Sequence, residues 1–125
     1  MQISKDKLNP KVEKQIKKLL AQIIADLKTS ENIQIFLRDF LTPAEGIVLA
    51  KRLAIALYLE KGKSYEEIRR SLKVSSATIA SVQSMLEHRS EGFMLAVQQI
   101  KAEEWADQWA EKISKFFQGF SGSKA

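Results

Sequence analysis

The sequence predicts an all-α protein, a helical bundle carrying a helix-turn-helix. Three observations point there. The 125 residues include only two prolines and five glycines, too few to interrupt the chain often. Apolar side chains recur at spacings of three and four from residue 12 onward, and strand-like alternation is absent. Two helical patterns stand almost back to back in SYEEIRRSLKVSSATIASVQSML, Ser64 to Leu86.

NPKVEKQIKKLLAQIIADLK sets the first helix. Asn9 suits the N-cap and Pro10 the first turn. Val12, Ile16, Leu19, Ile23 and Leu27 form an apolar stripe, widened by Leu20 and Ile24, with Lys11, Lys14, Lys17 and Lys18 largely off it. TSENIQIFLRDFL gives a shorter second helix, capped by Thr29 or Ser30 and lined by Ile33, Phe36, Leu37 and Phe40. The third opens at LTPAEG: Thr42 is the N-cap, Pro43 takes the first position, and Glu45 sits in the first turn where the helix dipole favours an acid. Gly62 stops it.

Apolar residues surround nearly the whole circumference of this third helix: Ile47, Val48, Leu49, Leu53, Ile55, Leu57, Tyr58 and Leu59. A helix apolar all round must be buried all round. The short helices of one small chain enclose such a rod poorly, so an intertwined homodimer is expected. Burial by the chain's own terminal helices is the alternative.

Ser64 and Glu67 make a capping box, which starts the fourth helix at Tyr65. Ile68 and Leu72 face inward. Lys73 stands where the turn often holds glycine, at a cost of about 1 kcal/mol if its backbone is left-handed. Val74 packs in the turn and Ser75 or Ser76 caps the fifth helix. Ile79, Val82 and Leu86 form its inner face. Ser76, Ala77, Ala80, Ser81, Gln83 and Ser84 form the other, with Thr78 near the edge.

Two helices joined by so few residues must cross steeply, and the second projects as a ridge. This is the helix-turn-helix arrangement, here over about 64–87, whose second helix enters the major groove of DNA. Ser75, Ser76, Thr78 and Gln83 would offer hydroxyl and amide groups to base edges. No Lys or Arg occurs from Val74 to Leu86. Phosphate contacts therefore fall to Arg69, Arg70 and Lys73, with Lys61, Lys63 and Arg89 as further sources. A plain helical hairpin is the alternative.

An extra C-terminal helix is expected over about 91–118, where Phe93, Val97, Ile100, Trp105, Trp109, Ile113 and Phe116 lie at helical spacings. Such aromatic stripes serve a core or a dimer interface. Residues 119–125 read as a disordered tail, leaving 1–118 as a single domain.

Composition narrows the function. Without cysteine there is no disulfide or thiolate metal site, which suits a reducing cytoplasm. The longest apolar run, LAIALYL, is too short for a bilayer, and no secretory apolar segment opens the chain, so no membrane partner is expected. The net charge is +5, concentrated in residues 1–63, where 12 Lys+Arg face 7 Asp+Glu. That excess fits a polyanion partner. The sole histidine, His88, reads as a helix-end residue, and no phosphate loop, nucleophile elbow or metal spacing occurs. No enzyme, metal or cofactor is expected.

FLTPAEGIVLAKRLAIALYLEKGKSYEEIRRSLKVSSATIASVQSML, Phe40 to Leu86, resembles the tryptophan-repressor family. The resemblance implies a Trp-repressor-like intertwined homodimer, each subunit presenting one helix-turn-helix to a palindromic operator in double-stranded DNA. The implied function is that of a sequence-specific, repressor-like transcriptional regulator. It also implies a possible effector pocket at Thr42, Arg52 and Ser81. Thr42 and Arg52 keep the family's residue types. Ser81 stands where the family's sensor has an arginine, Val82 replaces a glycine and Met85 a serine. The pocket would be partly filled, so a small-molecule co-repressor stays open and tryptophan is not expected.

Arg52 lies among Val48, Ile55, Ala56 and Leu59 and needs an anion there. A small-molecule carboxylate, an internal acid such as Asp39, or an extended path to the surface would each serve. Two other readings remain. One is a helical protein-interaction module that keeps the scaffold and has lost specific DNA binding, as an uncharged reading helix would allow. The other is a replication-initiator-type DNA-binding domain, which the long aromatic tail and the lack of a nucleotide-binding domain oppose.

Overall fold

The computed structural model of the chain describes residues 5–88 and 91–98, and helical positions 108, 111, 112 and 115. Among the described residues there are helices and no strand: α1 (Pro10–Leu27), α2 (Ser30–Phe40), α3 (Pro43–Glu60), α4 (Tyr65–Leu72), α5 (Ser76–His88) and α6 (Glu91–Gln98). The chain divides into two compact units, Met1–Gly46 and Ile47–Ala125.

In the first unit the expected signals act locally. Asn9 Oδ1 accepts from the Lys11 N–H at 2.8 Å, with Pro10 in the first turn. Thr29, not Ser30, caps α2: its Oγ1 accepts from the Asn32 N–H at 3.1 Å. The Asn32 amide in turn donates to the Leu27 carbonyl at 3.3 Å, tying the α1–α2 joint. Phe36 and Phe40 stack with ring centroids 4.8 Å apart. Neither α1 nor α2 buries a residue. Ile16 and Leu19 in the α1 stripe are 51% and 59% exposed. The stripe therefore exists and is mostly exposed among the described residues, with Ile24 and Leu27 half-buried.

α3 opens with a capping box: the Thr42 N–H donates to Glu45 Oε1 at 2.8 Å, and the Glu45 N–H to Thr42 Oγ1 at 3.1 Å. Hydrogen bonds to the Glu45 carboxylate from Thr42, from its backbone N–H first and then from its side chain, hold that carboxyl below the usual carboxylate range. At its other end Gly62 has φ 82°, its N–H donates to the Leu59 carbonyl, and the Lys63 N–H reaches the Tyr58 carbonyl, both at 3.0 Å. That is a Schellman stop, and the left-handed position it needs is filled by glycine.

The core of the second unit gathers around the last turns of α3. Ile55, Ala56 and Tyr58 cluster with Ile68 of α4 and with Ile79 and Val82 of α5, while Leu59, Tyr65, Leu72, Val74, Leu86 and Phe93 pack against it. Burial pushes the Tyr58 phenol above its ordinary range, partly offset by a hydrogen bond with Ser71. All-round burial of α3 is not met among the described residues. Ile55 to Tyr58 are buried, yet Ile47, Val48, Leu49 and Leu53 are exposed.

α6 covers the start of the expected C-terminal helix, and its Phe93 packs on the core as expected. Arg89, Ile100, Trp105, Trp109, Ile113, Phe116, the 119–125 tail and the side chain of Val97 lie outside the described residues.

Candidate nucleic-acid interface

Ser64 and Glu67 form the capping box at the head of α4: the Glu67 N–H donates to Ser64 Oγ at 3.2 Å. Ile68 from α4 and Ile79 from α5 are fully buried and pin the two helices together. Residues 73–75 join them. Lys73 is left-handed, φ 55° and ψ 55°, and its N–H donates to the Arg69 carbonyl at 2.9 Å. Ser75 is the cap of α5: its Oγ accepts from the Thr78 N–H at 3.1 Å and lies 2.9 Å from Thr78 Oγ1. The His88 ring donates to the Ser84 carbonyl at 2.8 Å and closes the helix.

The ridge of α5 is open. Ser76, Ala77, Thr78, Ala80, Ser81, Gln83 and Ser84 are all exposed. A groove of about 500 Å³ runs beside its start and joins Arg69 and Arg70 to Ser75 and Ser76. Two expected phosphate residues and two expected base readers thus share one surface. Gln83 lies elsewhere on α5, where its Oε1 accepts from the Tyr65 hydroxyl. Ser75 and Thr78 have their hydroxyls engaged with each other, so of that pair only one proton remains to offer.

A second cleft, of about 530 Å³, opens on the other side of Ser75. Lys51, Arg52 and Lys73 bring three cations to it, Thr78 and Ser81 bring hydroxyls, and Val48, Val82 and Met85 are among its apolar lining. Lys51 Nζ donates to the Lys73 carbonyl at 3.2 Å, linking α3 to the turn of the helix-turn-helix. Of the expected effector residues, Arg52 and Ser81 come together here, while Thr42 caps α3. Asp39 is engaged by Arg38, with Nε–Oδ1 2.8 Å and Nη2–Oδ2 3.2 Å. That pair holds the Asp39 carboxyl below its ordinary range. Sequence reasoning missed Lys51, whose only signal was its place beside Arg52. It also missed Tyr65 as the partner of Gln83, because contacts 22 and 18 residues apart leave no periodic trace.

Among the described residues, no group of histidine and acids could hold a metal ion. No helix among them is long and apolar enough to cross a membrane.

The chain matches the family model described as Trp repressor protein over residues 14–101, more than half its length. It is 33% identical over 81 residues to the uncharacterized protein YerC of Bacillus subtilis (strain 168), an alignment covering 65% of this chain and 78% of that one. No solved structure matches. The matched span takes in the capped α3, the left-handed turn and the exposed ridge of α5, and with them the chain belongs to the Trp repressor family.

Proposed function

We propose that the protein is a sequence-specific DNA-binding transcriptional regulator of the repressor type, acting as a cytoplasmic homodimer without tryptophan. The observation that carries this reading is the juxtaposition at the start of α5: an exposed ridge with an arginine-lined groove beside it. Ser75, Ser76, Thr78 and Gln83 read base edges, and Arg69, Arg70 and Lys73 hold phosphates. Small uncharged side chains on the ridge let it sit deep in the major groove, while cations beside it grip the backbone.

A second copy of the chain supplies what the apolar stripe of α1 and the first half of α3 lack. Large apolar surfaces left open by a single small chain are the mark of an interface. A two-fold pair of helix-turn-helices then faces a palindrome, and 1–118 forms one dimeric domain.

The test is fluorescence anisotropy on labelled duplex DNA at several salt concentrations. Each phosphate contact removed lowers the slope of log affinity against log salt by about 0.9. Arg69→Ala with Arg70→Ala should weaken binding and flatten that slope by about two per subunit. An unchanged affinity and slope would sink the assignment of these arginines.

The absence of Lys and Arg from Val74 to Leu86 favours a second reading, a protein-interaction module without specific DNA binding. A protein retained from nuclease-treated lysate, with no measurable affinity for duplex DNA, would support it.

A further inference from the structure

Lys51 and Lys73 stand 22 residues apart, yet the Lys51 Nζ donates to the Lys73 carbonyl at 3.2 Å. Lys51 is half-buried on α3, and Lys73 is the C-cap of α4. The contact acts on the backbone of the turn. Lys73 holds φ 55° and ψ 55°, a left-handed conformation that a side chain disfavours and that persists only where its surroundings hold it. Its N–H is engaged with the Arg69 carbonyl at 2.9 Å. Its own carbonyl stands at the end of α4, where the helix supplies no donor. An ammonium suits that place twice, as a donor and as a cation at the negative end of the helix dipole.

The surroundings of Lys51 make the contact specific. Lys51, Arg52 and Lys73 line one cleft, and no described residue lining it is acidic. Like charges at close range repel, so an ammonium kept there needs an oxygen to keep it. The Lys73 carbonyl is that oxygen.

We infer that Lys51 is a positioning residue for the reading helix. Its ammonium fixes the peptide plane by which the chain leaves α4, just before Ser75 caps α5. That plane sets the direction in which α5 departs. In this role Lys51 touches neither base nor phosphate. It decides which base edges the ridge can reach. Base contacts are directional and fail when the helix tilts, whereas attraction to the phosphate backbone is carried by charge and is sequence-independent. Loss of Lys51 therefore removes sequence preference and leaves the electrostatic grip. That consequence rests on the DNA-binding reading; the hold on the turn does not.

The experiment compares the full-length wild type with Lys51→Met, which keeps the apolar stem and removes the ammonium, and Lys51→Arg, which keeps a cationic donor. Amide hydrogen exchange without DNA is read at Lys73 and at Thr78, whose N–H donates to Ser75 Oγ. In Lys51→Met both should exchange about threefold to tenfold faster, the loss expected of one hydrogen bond. The amides of Ile55 to Tyr58 in the core should keep their protection, and Lys51→Arg should restore the turn. Fluorescence anisotropy then compares a duplex selected by the wild type with a scrambled duplex of the same length. Lys51→Met should lower the preference between them by about threefold to tenfold, with the salt slope unchanged. A slope lower by about 0.9 per subunit would make Lys51 a phosphate contact and overturn the proposal. So would unchanged exchange at Lys73 and Thr78, or a preference that Lys51→Met retains. A wild type that prefers no duplex defeats the regulator reading instead, and exchange in the turn then decides the hold by Lys51 alone.

Discussion

Two left-handed residues bound the fourth helix and make opposite predictions. Gly62, φ 82°, has the residue type its backbone favours, and nothing lies within 4 Å of where a Cβ would stand. Gly62→Ala therefore costs only the conformational penalty, about 1 kcal/mol. Lys73, φ 55°, carries that penalty already. Lys73→Gly should stabilise the fold by up to about 1 kcal/mol in thermal melts, while lowering DNA affinity by removing a cation. Both positions were legible in the sequence, since a helix that stops and restarts within three or four residues needs such a turn. The Thr42–Glu45 box was half legible: cap and first-turn acid were read separately, although their spacing is that of a capping box. Its effect depends on pH. The Glu45 carboxyl sits below its ordinary range, so its contribution is full at neutral pH. It fades as pH falls through the ordinary carboxylate range toward the depressed folded value. Melts of Glu45→Gln and the wild type should differ at pH 7 and converge in acid; a gap independent of pH would contradict the assignment.

The helix-turn-helix was legible as an element because everything that fixes it is local. The Ser64 box starts α4, and periodicity places Ile68 and Ile79 inside. Ile79→Ala should cost about 2–5 kcal/mol in denaturant melts, as expected for a fully buried isoleucine, and should loosen α5 from α4. Ser64→Ala should cost about 1 kcal/mol. The spread of the candidate site over the surface was not legible. Periodicity put Gln83 on the outer face, but not its bond to Tyr65. It gave Arg52 an anion problem without showing that Lys51, Lys73 and Ser81 share the cleft. Those neighbours are set by how α3 crosses the helix pair, which no single helix encodes.

At the scale of the molecule, the main tension is between apolar content and burial. No residue of α1 or α2 is fully buried, and the first half of α3 is exposed at Ile47 and Val48. The sequence announced this as a rod apolar on all sides. Under the proposed dimer, Ile16→Glu with Leu19→Glu should shift sedimentation equilibrium to monomer and lower the melting temperature. A wild-type protein that sediments as a monomer at micromolar concentration would contradict the dimer.

The most direct test of the regulator reading is selection of bound duplexes from a random pool by the purified full chain at near-physiological salt. The account predicts enrichment of a palindrome with half-sites about one helical turn apart, as two symmetric reading helices require. No enriched sequence, with retention lost steeply as salt rises, would leave only non-specific phosphate contact and contradict it.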